Sequence, residues 1–425
     1  MTFFGLSNAE SNYLFGLSLT LLGSLINRIL FKNKCKVRSI AFLNILMSIF
    51  ISKIIFGTAQ TIIFNSIIAI NFMMLRITFF RKHKHVNILI NIFLSFCYQY
   101  FYSPSYDISD ENDLIACMFF FIIRMGYVSD SFTGNWYESF AYIYFVPGFA
   151  VGPVVLLKDF VRLVNRVGNS KIKIVLKNNK KKDIEIKDEN KSQNTFKRTS
   201  LMNVFSLFFG LFTVFAIKPF NIDEEIYGKH SLSKKLFYMF CFAYRKKGIL
   251  YFVWSFASLC YAICGIEAYN VDFMKIESAT SFKFHPKNWN ISAYVFYRQF
   301  FYENAIFFLD NLGVRNNKKF AVYFTFLCSA AMHSIKACEL VFFGTFGIST
   351  KLLDIFIESI PFIRNFSLLK FMIIHLYSAF LILIKDCSTF SEIFNMWKQV
   401  YFSGFAILIS LGIISYICKF IKKIK

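Results

Sequence analysis

Long apolar runs follow one another along almost the whole chain, with short polar connectors between them. A helix needs about 20 predominantly apolar residues to cross the hydrocarbon core of a bilayer. This pattern favours an all-α, polytopic bundle of about eleven transmembrane spans, some of them short or re-entrant. The candidate runs are 14–31, 40–56, 61–80, 86–101, 114–123, 142–157, 202–217, 236–244, 250–265, 294–309, 320–343, 352–363, 369–384 and 400–417.

The composition supports the same class. The 425 residues are 56% hydrophobic, well above the apolar share of an average soluble domain. A formal charge of +23 would suggest a nucleic-acid partner in a soluble protein. Here the lysines and arginines fall largely between apolar runs, where cytosolic loops of membrane proteins collect them, so we expect a membrane and no nucleic acid.

Basic segments predict the orientation of one integral membrane domain over residues 1–425. Residues 166–198 hold 11 lysines or arginines against 4 acidic residues, and they predict a flexible cytosolic loop. Lysines also crowd residues 419–425, which predicts the same side and an even number of crossings between the two segments. Lys422 and Lys423 resemble a dilysine retrieval signal of the endoplasmic reticulum, or are plain juxtamembrane residues. Residues 14–31 would serve as an uncleaved insertion signal.

No metal or redox cofactor is expected. The ten cysteines are scattered through apolar runs, and we interpret them as small core residues. Only Cys260 and Cys264 are spaced to share one helix face. His83 and His85 lie two residues apart, without a neighbouring carboxylate or thiol to complete a metal site.

Two polar residues stand out near apolar runs. His333 interrupts the run 320–343, and an imidazole at bilayer depth usually faces a bundle interior or a cavity. The alternative is a hydrogen bond to a neighbouring helix. Asn290 follows Trp289 at the entrance of the run 294–309.

The sequence around these residues resembles the membrane-bound O-acyltransferase (MBOAT) family, and within it the lysophospholipid acyltransferase branch. The matching segments are IESATSFK at 276–283, NWNI at 288–291 and SAAMH at 329–333. Upstream, YIYFVPGFAVGP at 142–153 is similar to a segment of that branch with a Pro-Gly and a Gly-Pro. We expect this segment to break a span around a tunnel, or to pack helices closely through its small residues.

Two fainter matches complete the order of motifs. Lys246, Lys247, Tyr251 and Trp254 are similar to a basic, tyrosine-rich motif that ends in Trp, and FNMWKQVYF at 394–402 is similar to a C-terminal one. The resemblance covers the chain from about Gly134 to the end.

The chain also departs from the family pattern. Residues 332–334 read Met-His-Ser where the family usually has Trp-His-Gly, and Cys338 and Glu339 replace a Gly-Tyr pair. The polar insert 310–319 lengthens the connector between the two candidate residues. These changes bear on substrate shape and efficiency more than on reaction type.

The resemblance implies an acyl-CoA-dependent O-acyltransferase with an intramembrane tunnel, in the endoplasmic reticulum, acting on a lysophospholipid in phospholipid metabolism. It assigns His333 as the general base and Asn290 as the donor or positioning group. A base and an oxyanion donor are what acyl transfer to a hydroxyl requires. The substrate-binding candidates are Lys336, Glu277, Trp289, Tyr251 and Trp254.

Some roles follow from the residue types. On a continuous helix Lys336 would share a face with His333, three residues before it, where it could keep the imidazole neutral or bind phosphate. Snorkelling towards an interface is the alternative. We expect Glu277 to pair with a basic residue or a backbone amide, His285 to be a loop residue, and His375 to be a satisfied core histidine.

Two other functions remain open at this stage. Within the family, the acceptor could be a sterol, diacylglycerol or protein, although the signature of the sterol and diglyceride branch is missing before Trp289. In another class, a transporter could use His333 and Lys336 to line its pathway. The halves of the chain show no convincing internal repeat, which disfavours a transporter.

Overall fold

The computed structural model describes residues 8–101, 114–132, 134–150, 152–165, 189–217, 226, 228–334 and 336–424. These residues form helices and connectors without a strand, apart from one isolated bridge between Val271 and Trp289. The all-α prediction is therefore confirmed for them. The chain divides into two compact units, Met1–Val204 with Val253–Asn270, and Phe205–Phe252 with Val271–Lys425.

The first unit is built from helices joined by short connectors and by pairs of buried amides. Asn27 and Asn44 exchange hydrogen bonds of 3.1 and 2.8 Å, and Asn71 and Asn91 exchange bonds of 2.8 and 2.6 Å. Reciprocal amide pairs satisfy polar groups that lipid could not and hold helices in register. The helices are α1 (Asn8–Lys32), α2 (Val37–Arg76), α3 (Thr78–Lys82), α4 (Lys84–Phe101), α5 (Ile115–Ser131), α6 (Trp136–Ile143), α7 (Leu157–Asn165) and the start of α8 (Glu189–Ala216).

Helix α2 contains the run 40–56 and residues 61–76 of the run 61–80, which we predicted as two spans. Gly57 has φ 78° and ψ 171° inside it, a conformation that glycine adopts without the steric penalty of a side chain. This break divides the 40-residue helix into two lengths of about 20 residues, each enough for one crossing. The hydroxyl of Thr61 donates to the Gly57 carbonyl at 2.7 Å, which satisfies an acceptor at the kink.

The predicted break within residues 142–157 is confirmed. Helix α6 ends at Ile143, a 3₁₀ turn follows at Val146–Gly148, and helix begins again only at Leu157. The buried guanidinium of Arg124, on α5, donates to the carbonyls of Ile143 (3.0 Å) and Gly148. Carbonyls freed from a helix need such a donor inside a membrane protein, so Arg124 stabilises the interruption.

The second unit contains the rest of the helices. Its core includes the ring of Phe380 stacked on Trp397 at 5.1 Å between ring centroids. The elements are the end of α8, the part of α9 (Leu232–Ile263) up to Phe252, α10 (Phe273–Glu277), α11 (His285–Asn288), α12 (Ile291–Tyr297), a π-helical turn (Arg298–Tyr302), α13 (Glu303–Asn311), α14 (Asn317–His333), α15 (Ala337–Ser359), α16 (Pro361–Asn365), α17 (Ser367–Ile382), α18 (Phe390–Gln399) and α19 (Ser403–Ile424).

Several predicted boundaries are wrong. The runs 236–244 and 250–265 form the single helix α9, and the run 320–343 is divided between α14 and α15. Residues 166–188 of the predicted basic loop lie outside the described residues. Helix α8 begins at Glu189, so residues 189–198 are helical rather than part of a flexible loop.

Within the described residues, four helical segments are long and apolar enough to cross a membrane: Asn8–Lys32, Val37–Arg76, Ala337–Ser359 and Ser367–Asp386. A fifth crossing is possible if α18 and α19, bent by 69°, act as one span. Helix α5 is shorter, and the side chains from Cys117 to Ser129 are all buried. Other parts of the protein thus surround α5.

Candidate functional site

Asn290 occupies the N-cap of α12 with a left-handed backbone, φ 49° and ψ 60°. Its side-chain oxygen accepts a hydrogen bond from the Ala293 amide at 3.4 Å. A side-chain oxygen at this position satisfies one of the free amides at the start of a helix. Asn288 has a different role, because its amide donates to the Phe284 carbonyl one turn earlier at 2.8 Å.

His333 is the last residue of α14. The backbone becomes extended at Ser334, and a new helix begins at Ala337. The imidazole stacks on the ring of Phe343, with 4.7 Å between ring centroids. The π-helical turn that follows α12 packs against α14, so the elements bearing Asn290 and His333 belong to one layer of this unit.

The predicted relation between His333 and Lys336 is wrong. The helix ends between them, so the two side chains do not project from one helical face, and Lys336 is exposed at the N-cap of α15. Its predicted contact with substrate remains untested.

A different lysine lies near His333. Lys385 donates to both carboxylate oxygens of Glu339 at 2.6 Å, and its ammonium is 5.6 Å from the centroid of Phe343, on which the imidazole stacks. In the sequence, Glu339 stands out only as a departure from the family pattern, and Lys385 was not predicted to belong to the site. Both are charged residues within apolar runs, and that signal could have predicted the pair.

Glu277 is the centre of a buried polar cluster. It forms an ion pair with Lys247, accepts a hydrogen bond from Tyr251, and accepts a second from Tyr244 at 2.8 Å. Burial alone would raise the pKa of the Glu277 carboxyl. The Lys247 charge and the hydrogen bonds from Lys247 and Tyr251 outweigh burial and hold the pKa below its usual range. The predicted pairing of Glu277 with a basic residue is confirmed.

The cluster brings together three of the predicted substrate-binding residues. The ring of Tyr251 meets Trp289 edge to face at 5.4 Å, so Glu277, Tyr251 and Trp289 are linked by direct contacts. Trp254 is buried and belongs to the first unit. Lys246, next to Lys247, instead pairs with Asp386 at 2.7 Å.

Two histidines differ from their predicted roles. His285 is a buried residue of α11, not a loop residue, and neither ring nitrogen has a hydrogen-bond partner among the described residues. Burial and the nearby charge of Lys247 lower the pKa of His285 to about 3, so the ring is neutral at physiological pH. His375 is in the core, as predicted, but it is not satisfied, because its Nε2 also has no partner in that part of the chain.

The cysteines are all unpaired, and half of them are buried. Within the described ranges, no group of three or more His, Cys, Asp or Glu side chains is placed to hold a metal ion.

Comparison with known proteins agrees with the geometry and the motifs. No curated protein sequence matches the chain. The model of the membrane-bound O-acyltransferase family, MBOAT, matches residues 127–396, which is 270 of 425 residues and includes Glu277, Asn290 and His333. On this match over more than half of its length, the chain belongs to the membrane-bound O-acyltransferase family.

Proposed function

We propose that this protein transfers a fatty acyl chain from acyl-CoA to the hydroxyl of a lysophospholipid, with His333 as general base and Asn290 as donor to the carbonyl oxygen. The family indicates a membrane O-acyltransferase. The motifs around residues 276–291 and 329–333, similar to the lysophospholipid branch, support the acceptor class.

The proposed reaction is a single acyl transfer. The acceptor hydroxyl oxygen bonds to the thioester carbonyl carbon as His333 takes the hydroxyl proton. The carbon–sulfur bond then breaks, and His333 returns the proton to the thiolate of coenzyme A. Asn290 donates to the carbonyl oxygen while negative charge develops on it.

The observation that carries this proposal is the end of α14 at His333. An imidazole in the middle of a continuous helix is surrounded by neighbouring turns, whereas His333 lies at a helix end, where the last backbone carbonyls have no partner within the helix. The residues near His333 are consistent with its role as a base, because Glu339 and Lys385 form an ion pair that carries no net charge.

The site would lie in an intramembrane tunnel, reached by coenzyme A from the cytosol. We place the protein in the endoplasmic reticulum with residues 419–425 on the cytosolic side. Its partners in this proposal are acyl-CoA, lysophospholipid and the surrounding lipids, and no cofactor is needed. Sterols, diacylglycerol and protein remain the alternative acceptors.

The test is acyl transfer by microsomal or detergent-solubilised protein, using labelled oleoyl-CoA and a panel of lysophospholipid headgroups. Loss of a general base typically lowers turnover by about 100- to 10,000-fold, and we expect this for His333→Ala. Loss of one oxyanion donor lowers it by about 100- to 1,000-fold, as expected for Asn290→Ala.

Matched controls separate chemistry from folding. His230→Ala removes a histidine outside the site, and Asn288→Ala removes the neighbouring asparagine whose amide caps a backbone carbonyl. Both should retain activity close to wild type. Full activity in His333→Ala would refute the assigned base. A wild-type protein that acylates no lysophospholipid would refute the acceptor class and direct the assay to sterols and diacylglycerol.

A further inference from the structure

Two buried histidines of the second unit face each other with unpaired nitrogens. His285 and His375 are 5% and 3% exposed, and their ring centroids are 6.4 Å apart in an edge-to-face arrangement. Three of their four ring nitrogens have no hydrogen-bond partner within the described part of the chain: both nitrogens of His285, and Nε2 of His375. Buried polar atoms without partners are costly, so these nitrogens indicate a site for a polar group.

The hydrogen bonds of Tyr244 determine the tautomer of His375. Its hydroxyl carries one proton, which it donates to Glu277 at 2.8 Å. The 3.2 Å contact of the same hydroxyl with His375 Nδ1 must therefore have Nδ1–H as the donor. The remaining nitrogen of His375, Nε2, is then an acceptor, and its partner has to donate a hydrogen bond.

His285 can both donate and accept, because its ring is neutral. The backbone of Phe282 is close enough to raise the pKa of the His285 ring slightly, but the contact does not meet the geometry of a hydrogen bond. Since the Nδ1 and Nε2 atoms of His285 point away from each other, one small group cannot satisfy both of them. Two adjacent groups that each donate and accept would match the two rings.

The surroundings exclude a second cation. Lys247 already pairs with Glu277, so this carboxylate is not free to balance a further buried cation. Aromatic rings border both histidines, with Phe282 5.0 Å from His285 and Phe371 4.2 Å from His375 between centroids. A few polar groups within apolar walls are typical of small-ligand sites.

We propose that His285 and His375 bind neighbouring hydroxyl groups of a polyol lipid headgroup, of the glycerol or inositol kind. A hydroxyl donates to His375 Nε2, and the adjacent hydroxyl exchanges a hydrogen bond with His285. As the headgroup site of the acyl acceptor, this inference rests on the proposed function.

The histidine pair is connected to the candidate reaction site. His285 lies five residues before Asn290, and its carbonyl accepts the Trp289 amide at 2.9 Å. A row of aromatic rings, each 4.7 to 5.7 Å from the next, runs from His285 to His333 through Phe282, Phe346, Phe342 and Phe343. An apolar row of this kind is compatible with one lipid that reaches both ends.

The experiment measures binding to the purified full chain in detergent, without an acyl donor. The lipids are lysophosphatidylglycerol and lysophosphatidylpropanol with the same acyl chain, which carry the same charge and differ only in the two headgroup hydroxyls. We expect lysophosphatidylglycerol to raise the thermal unfolding midpoint more and to bind about 10-fold more tightly, since each retained hydrogen bond contributes modestly.

The variants His285→Phe and His375→Phe should each abolish this preference while leaving lysophosphatidylpropanol binding unchanged. His230→Phe is the matched control and should keep the preference. Equal binding of both lipids by the wild-type protein, which needs no variant to fold, would overturn the inference. So would a preference that survives in both histidine variants. A diol preference in a protein without acyl transfer would leave this inference standing and refute the proposed function alone.

Discussion

At the scale of single residues, burial of His285 makes a prediction about pH. The pKa of His285 is about 3 in the folded state and 6.5 in the unfolded state. Between these two values the unfolded state therefore binds a proton that the folded state does not bind. The free energy of unfolding should therefore fall as the pH is lowered, by up to about 1.4 kcal/mol per pH unit from this group.

Replacing the ring removes this contribution. Between pH 6.5 and 4.5, His285→Phe should lose less stability than wild type, as measured by unfolding midpoints in one detergent. His230→Phe should follow the wild-type curve. Parallel curves for wild type and His285→Phe would show that the imidazole titrates normally in the folded protein.

The same residues show how far sequence could predict the site. A carboxylate in an apolar protein needs a cation, so pairing of Glu277 was predictable from its residue type. Whether Lys247 or Lys246 pairs with Glu277 depends on how α9 is rotated about its axis. Glu277 lies 30 positions after Lys247, and the sequence between them does not specify that rotation. His285 was misjudged because its burial comes from the contact with His375 on α17, and no local pattern records that contact.

At the scale of elements, the crossing of α8 and α9 predicts sensitivity to added methyl groups. A Cβ at Gly210 would lie 2.6 Å from the Gly248 carbonyl oxygen and 2.7 Å from the Phe252 amide nitrogen. Backbone atoms cannot move as a side chain can, so Gly210→Ala should separate the two helices. Such overpacking costs about 1 to 3 kcal/mol, and the thermal unfolding midpoint should fall.

The control for this variant is Gly344→Ala. Gly344 lies within α15, and among the described residues outside its own helix turn no atom is within 4 Å of an added Cβ, so alanine should be neutral or slightly stabilising. A Gly210→Ala protein with the wild-type midpoint would contradict the close approach of the helices. Gly248 adjoins Lys247, so the same crossing also positions the cation of the Glu277 cluster.

Helix interruptions differ in how visible they are in the sequence. The break after Ile143 was predicted because Pro147 removes a backbone donor and Gly148 weakens a helix. The break after His333 was not predicted, since the next ten residues, 334–343, include neither proline nor glycine. It leads to a segment whose end is held by a backbone bond from Ala337 to Ser388, 51 positions later, and such a contact is invisible to local patterns.

At the scale of the whole molecule, hydropathy predicted the class better than the number of spans. Apart from the interrupted run 142–157, the long apolar runs are largely helical where the structure describes them, because lipid leaves the backbone few alternatives. The count differs because several helices are short, kinked or broken, and the described residues contain four clear spans with a fifth bent pair. Length and composition cannot distinguish a full crossing from a shorter helix buried among others, and α5 could be either.

Orientation is the whole-molecule property that charge predicts most directly. Residues 166–198 and 419–425 are strongly basic, and cytosolic loops collect lysine and arginine, so both should face the cytosol. We would insert one epitope after Asn179 and another after Lys425, in separate proteins, and treat sealed microsomes with protease. Both epitopes should be digested while a lumenal marker stays intact.

Protection of one epitope alone would mean an odd number of crossings between the segments, and the entrance for coenzyme A could then not be assigned to the side of both segments. Protection of both would reverse the orientation and place the proposed donor entrance on the lumenal face, where acyl-CoA made in the cytosol could not reach it.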